Sequence, residues 1–373
     1  MSPRNPEPAA VDAASAPAAP LTLAQAAQGH DNNLNLLRFV AALLVLVSHS
    51  VTVATGRGNL EPGRSLLGLS LGDIAVDIFF VVSGFLVTGS LMRSNSLAKY
   101  AAARALRIVP GLWVALLVTV LIVSIGFSAL PAGQALSDPL TWRYLGRNAL
   151  IVTGADFDLP GAFPGNPFPR NVNASLWTLP LEVWMYIILA AEWWTATRLA
   201  PRFGSAVLTR FLLATAVVLL VGALGLALAG HPSNSTRHAA VFFSAAWMYA
   251  VRDRIPLRLA AVLAAAAIVA CATLVSHGAF EIAYRLLLPY IVLYVAYVPA
   301  GFIRYYNRVG DFSYGVYIYA FPFQQISAAL FPGIDAWHLF FLAAGMTLVA
   351  AVLSWYLVES RALALRARLA RRR

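Results

Sequence analysis

Charge is what this chain has least of. Only 12% of its 373 residues are charged, about half the share of a soluble domain, while 60% are hydrophobic. That balance excludes an ordinary soluble fold and leaves a polytopic membrane protein. Cysteine is nearly missing too. The single Cys271 excludes an internal disulfide framework or a thiolate metal site, and no metal is expected. In its apolar run it reads as a small buried hydrophobe. The first thirty-one residues lack a continuous apolar core, so they do not read as a cleaved signal peptide. Rich in Ala and Pro, 1–31 is expected to be a disordered cytoplasmic tail. No soluble domain is appended, and no fixed-period repeat is visible.

What is present is a series of apolar runs. Ten are long enough, or nearly so, to cross a bilayer: about 34–55, 72–92, 106–127, 176–197, 207–229, 238–251, 258–276, 281–299, 311–330 and 336–358. The sixth is short and weak. The expected fold is all-α, with about ten transmembrane helices over 32–360 and a basic tail over 361–373. The net charge of +11 comes almost wholly from arginine. With the amino terminus inside, the basic residues concentrate in the inner loops and the tail, which places both termini in the cytoplasm. Membrane lipid, not nucleic acid, is then the partner of the tail. The longest connection, 127–175, falls outside. It is expected to hold an interfacial helix near 141–153 and a lid or binding loop.

The run Leu34 to Thr55 organises the rest. Arg38 and His49 are eleven positions apart, within roughly 20° on one helical face and roughly 16 Å apart along the axis. With Arg38 at the inner boundary, His49 lies deep, and an ionisable group there is a functional-site candidate. The plain alternative is a snorkelling arginine and a hydrogen-bonded bundle histidine. Asp77 lies within the second run and needs a partner, an arginine or a backbone end. Ser83, Gly84 and Gly89 are small enough to admit a close helix. Arg104 and Arg107 are three apart, neighbours at the inner start of the third run, and two guanidinium groups there suit a phosphoester. Glu182 and Tyr186 share a face just after the long loop, with Trp177 before them. Glu182 is placed at the outer rim, where it would bond His49 or orient an acceptor hydroxyl.

These pieces together resemble the bacterial membrane acyltransferase 3 family. They run in order from Arg38 and His49 through VDIFFVVSGFL (76–86), RALRIVP (104–110), SLWTLPLEVWMY (175–186) and GDFSYGVYIYAFP (310–322) to SWYLVES (354–360). The resemblance covers about 32–361. It implies transfer of an acyl group, usually acetyl from acetyl-coenzyme A, onto a hydroxyl of a carbohydrate or related envelope acceptor, in the bacterial inner membrane. Acetyl-coenzyme A is then a co-substrate, with no permanently bound cofactor. The chain departs from the family at Ala320, where a histidine is frequent, and at Arg361, where a proline is frequent.

The expected roles follow. His49 is the general base, an acyl-histidine being the lesser variant, and Glu182 orients it. Arg38, Arg104 and Arg107 hold the phosphates of coenzyme A. Asp77, Tyr186 and Trp177 meet the acceptor. The rival reading is a transporter or flippase of a lipid-linked or anionic solute, which buried Arg, His, Asp and Glu also suit. The absence of visible inverted repeats weighs against it.

Overall fold

The computed structural model describes residues 20–371, with side chains to Leu365. Ten helices lie over the ten apolar runs: α1 (Leu34–Thr55), α2 (Leu71–Ser94), α3 (Leu97–Gly126), α4 (Thr178–Phe203), α5 (Val207–Leu228), α6 (Asn234–Ala250), α7 (Leu259–Val275), α8 (His277–Tyr297), α9 (Ser313–Leu330) and α10 (Ala336–Ser354). Seven of them, α1 to α5, α8 and α10, are long and apolar enough to cross a membrane. The chain is an all-helical, multi-pass membrane protein. Directions alternate, so α1, α3 and α9 begin at one end of the bundle, here called proximal. Arg38 of α1 meets Asp311 at the start of α9, and Asp73 of α2 meets Arg237 of α6 at the distal end.

Local chemistry sets the helix starts. Ser70 and Asp73 close a capping box on α2, while Ser96, Ser233, Ser276 and Asp335 cap α3, α6, α8 and α10. Pro110 follows the two arginines. It lies inside α3, which begins thirteen residues earlier, so Arg104 and Arg107 sit on the membrane helix itself. Small residues bring α2 against α6 as expected. A Cβ on Gly84 would stand 2.1 Å from the Phe242 carbonyl oxygen, so only glycine fits that crossing. After α10 the helix widens into a π turn over Trp355–Glu359, then continues as Ser360–Arg371.

Of the tail expected over 1–31, residues 1–19 lie outside the described residues. From Pro20 on the chain is anchored: Leu23 is fully buried and its N–H donates to the Ile255 carbonyl at 2.8 Å. The interfacial helix of the long connection forms at Pro139–Leu150, capped by Asp138.

The second half of that connection is not an outer lid. It descends into the bundle along α9. Asn166 donates to the Gln325 carbonyl at 2.9 Å, and Gln325 Nε2 donates to the carbonyls of Phe168 and Asn171 at 2.7 and 2.6 Å. Lower down, Asn173 donates to the Ile318 carbonyl at 2.8 Å, and the Thr178 and Tyr317 hydroxyls meet at 2.8 Å. Gln325 is in the fourth turn of α9 and Tyr317 in its second, so the segment drops by roughly 10 Å. Val172, Asn173, Ser175 and Leu176 are all buried. Side-chain amides satisfy its irregular backbone, the condition for non-helical chain at membrane depth. α4 therefore starts inside the bundle, not at its distal surface.

Candidate active site

The re-entrant segment delivers α4 to a cavity of about 290 Å³ in the proximal half of the bundle. α1 contributes Arg38, α2 Phe79, Phe80 and Ser83, and α3 Arg104 and Arg107. α4 contributes Thr178, Glu182 and Tyr186, α9 Tyr314 and Tyr317, and Asp311 and Leu363 complete the wall. Three arginines and Glu182 thus come together, as their spacing alone could not show.

Their pairing is uneven. Asp311 Oδ2 accepts from Arg38 at 2.7 Å and from Arg107 at 2.6 Å, and Oδ1 accepts from the Ser313 hydroxyl at 2.6 Å. Glu359, aimed inward by the π turn, lies 3.9 Å from Arg107 and accepts from Ser354 at 2.9 Å. Arg104 has no ion-pair partner among the described residues. It lies 5.9 Å over the Tyr186 ring, and its Nε is buried and unpartnered. A guanidinium has five donors and no way to discharge, so Arg104 is the group most available to an anion.

Glu182 is not at the outer rim, and it does not touch His49. It accepts from the Ser83 hydroxyl at 3.0 Å and from the Tyr186 hydroxyl, one turn on. The re-entrant start of α4 explains the displacement, since a helix beginning in mid-bundle carries its first turns to cavity depth. Tyr186 lines the cavity and its carbonyl accepts from Tyr100 at 3.0 Å.

His49 stands further toward the distal end. It is half-buried, with its ring edge-on to Phe321 at 5.2 Å, and its Nδ1 is buried without a partner. Among the described residues, no carboxylate bonds it. Beyond it runs a connected series of charges. Glu61 accepts from Ser48 at 3.0 Å and Thr52 at 2.6 Å. Arg64 joins Glu61 at 3.4 Å to Asp73 at 2.9 Å, and Arg237 joins Asp73 to Asp77, both at 3.1 Å. Asp77 is fully buried and also accepts from His238 at 2.6 Å and Tyr284 at 2.9 Å. Its expected arginine partner is thus Arg237, and Arg237, His238 and Tyr284 between them engage both of its oxygens. Trp177 lies on the re-entrant turn, packed 5.5 Å from the His238 ring.

Sequence reading missed Asp311, and missed Arg237 and His238 at the edge of the weak sixth run. The usable signal was there: ionisable groups inside apolar runs, in numbers of both signs that allow pairing.

The model of an acyltransferase domain, acyltransferase 3, matches residues 31–356. The chain belongs to the acyltransferase 3 family. It is 30% identical over 362 residues to an O-acetyl transferase of Shigella phage Sf6, covering 88% of this chain and 95% of that protein. It is 29% identical over 380 residues to nodulation protein 10 of Rhizobium leguminosarum bv. viciae, covering 92% of this chain and 96% of that one. No solved structure matches the chain. The proximal cavity with its three arginines and His49 both lie within the span matched by the acyltransferase-domain model.

Proposed function

We propose that the chain is an O-acyltransferase of the bacterial inner membrane, both termini cytoplasmic, moving acetyl from acetyl-coenzyme A to a carbohydrate hydroxyl. The observation that carries this reading is the proximal cavity, with an unpaired Arg104 beside two arginines clamped on one carboxylate. With the proximal end facing the cytoplasm, the donor enters there. Arg104 meets a phosphate or amide oxygen of the donor, and Arg38 and Arg107 are drawn partly from Asp311. A cavity of about 290 Å³ takes the acylated arm and leaves the nucleotide at the mouth, near Leu363. The name of the phage relative, an O-acetyl transferase, supports acetyl as the group and an oxygen as the acceptor.

The reaction needs one proton moved. The acceptor oxygen attacks the thioester carbonyl carbon, its proton passes to the free nitrogen of His49, the carbon–sulfur bond breaks, and the proton ends on the departing sulfur. The imidazole suits this because its ordinary pKa lies near neutrality. On this reading the thioester passes Phe79 and Tyr317, an edge-to-face pair of the cavity wall with ring centroids 5.6 Å apart, to reach His49. Glu182 acts at the cavity through Ser83 and Tyr186, not on His49.

The test is His49→Ala at matched expression, with thiol release and acetylation of envelope glycan measured together. Loss of transfer with donor affinity retained is the expected result. Transfer near the wild-type rate removes the general base. For the donor, Arg104→Ala removes a charge-assisted contact of about 1.5–3 kcal/mol, a loss of roughly ten- to hundredfold in acetyl-coenzyme A affinity. A transporter would bind neither acetyl-coenzyme A nor release its thiol.

A further inference from the structure

The distal network holds a second imidazole that the acyl-transfer scheme leaves idle. His238 is wholly buried, and its Nδ1–H donates to Asp77. Asp77 is also held by Arg237 and by the Tyr284 hydroxyl, so it stays a hydrogen-bond acceptor toward the ring. That fixes the tautomer with the lone pair on Nε2, as a carboxylate does for imidazole in other acyl-transfer sites. Nε2 is buried and has no partner among the described residues. Phe80 stacks on the ring at 4.9 Å and 16°, and the Trp177 indole lies tilted against it at 5.5 Å. His238 itself does not line the cavity, but its neighbour Phe80 does, and so does Thr178, the residue after Trp177.

A buried acceptor left unmet calls for a donor. The lone pair of Nε2 selects the ligand chemistry: a hydroxyl fits, whereas a phosphate or carboxylate brings no proton. The neighbouring indole offers the flat apolar face on which a sugar ring stacks. We propose that His238 is an acceptor-binding residue, its Nε2 receiving a hydroxyl of the carbohydrate, with Asp77 as the positioning residue and Trp177 as the stacking surface. This rests on the reading of the chain as an O-acyltransferase with a carbohydrate acceptor.

The experiment measures two bindings on the purified full chain in detergent: de-O-acetylated envelope oligosaccharides alone, and acetyl-coenzyme A alone. His238→Asn keeps an N–H toward Asp77 and deletes the Nε2 position. It is expected to weaken oligosaccharide binding at least tenfold, with acetyl-coenzyme A affinity within twofold and the melting temperature within a few degrees. His238→Gln returns an oxygen acceptor near Nε2 and is expected to restore binding to within threefold. Trp177→Ala should weaken the same binding at least tenfold. Unchanged oligosaccharide binding in His238→Asn or Trp177→Ala overturns the assignment. So does a parallel loss of both ligands and of melting temperature, which marks a structural role. Wild-type protein that binds oligosaccharide but not acetyl-coenzyme A breaks the acyltransferase reading and leaves His238 standing. Binding of acetyl-coenzyme A alone does the reverse.

Discussion

Replacing Asp311 with asparagine separates what holds the cavity from what the cavity binds. One carboxylate oxygen accepts from Arg38 at 2.7 Å and Arg107 at 2.6 Å, and all three side chains are less than one-fifth exposed. Asparagine keeps the shape and removes the charge. Two guanidinium groups are then left facing each other, with Glu359, 3.9 Å from Arg107, as their remaining ion-pair partner among the described residues and Glu182 across the cavity. Breaking a buried pair costs about 3–5 kcal/mol, and the partial exposure here lowers that to about 2–4 kcal/mol. At roughly 2–4 °C per kcal/mol for a large domain, the melting temperature in detergent should fall by about 4–16 °C. Donor affinity should move the other way. Asp311 competes with phosphate for both arginines, so Asp311→Asn binds acetyl-coenzyme A at least as tightly as wild type. Saturating donor should then recover about 2.7 kcal/mol at a hundredfold excess over Kd, because it binds only the folded chain. A variant as stable as wild type would refute the clamp. A tenfold loss of donor affinity would show that Asp311 organises the arginines rather than competing for them.

Three further outcomes follow from other parts of the fold. Gly84→Ala places a Cβ 2.1 Å from the Phe242 carbonyl oxygen, and the overpacked α2–α6 crossing should lose about 1–3 kcal/mol, read as a lower melting temperature. Gln325→Ala leaves the carbonyls of Phe168 and Asn171 without their donors, at about 1–3 kcal/mol each. Hydrogen exchange over residues 166–178 should rise steeply; unchanged protection would show that the re-entrant segment is held otherwise. Arg170 is exposed at φ +64°, so Arg170→Gly should stabilise the chain by about 1 kcal/mol with transfer unaffected.

Hydropathy made the helices legible because lipid-facing and buried positions are both apolar. All ten runs carry a helix, and the small residues of α2 announced its close neighbour. Depth was not legible. Residues 166–177 are dense in Pro and Asn and read as an exposed loop, because their solvent is a set of amides from α9 and their own side chains. Gln324 and Gln325 look like a polar pair in an apolar run, yet the two bonds donated by Gln325 hold that segment inside. Glu182 was misplaced for the same reason: its height depends on where α4 starts. Pairing was equally hidden. The Arg38–Asp311 contact spans 273 positions, and nothing in either neighbourhood names the partner. Asp77 did announce its need for one, and Arg237 meets it.

The most direct measurement puts labelled acetyl-coenzyme A outside proteoliposomes and de-O-acetylated envelope glycan inside, with the proximal face of the protein outward. The account predicts that label crosses onto the trapped glycan with wild-type protein and fails to do so with His49→Gln, which still binds the donor. Equal labelling by His49→Gln would contradict it.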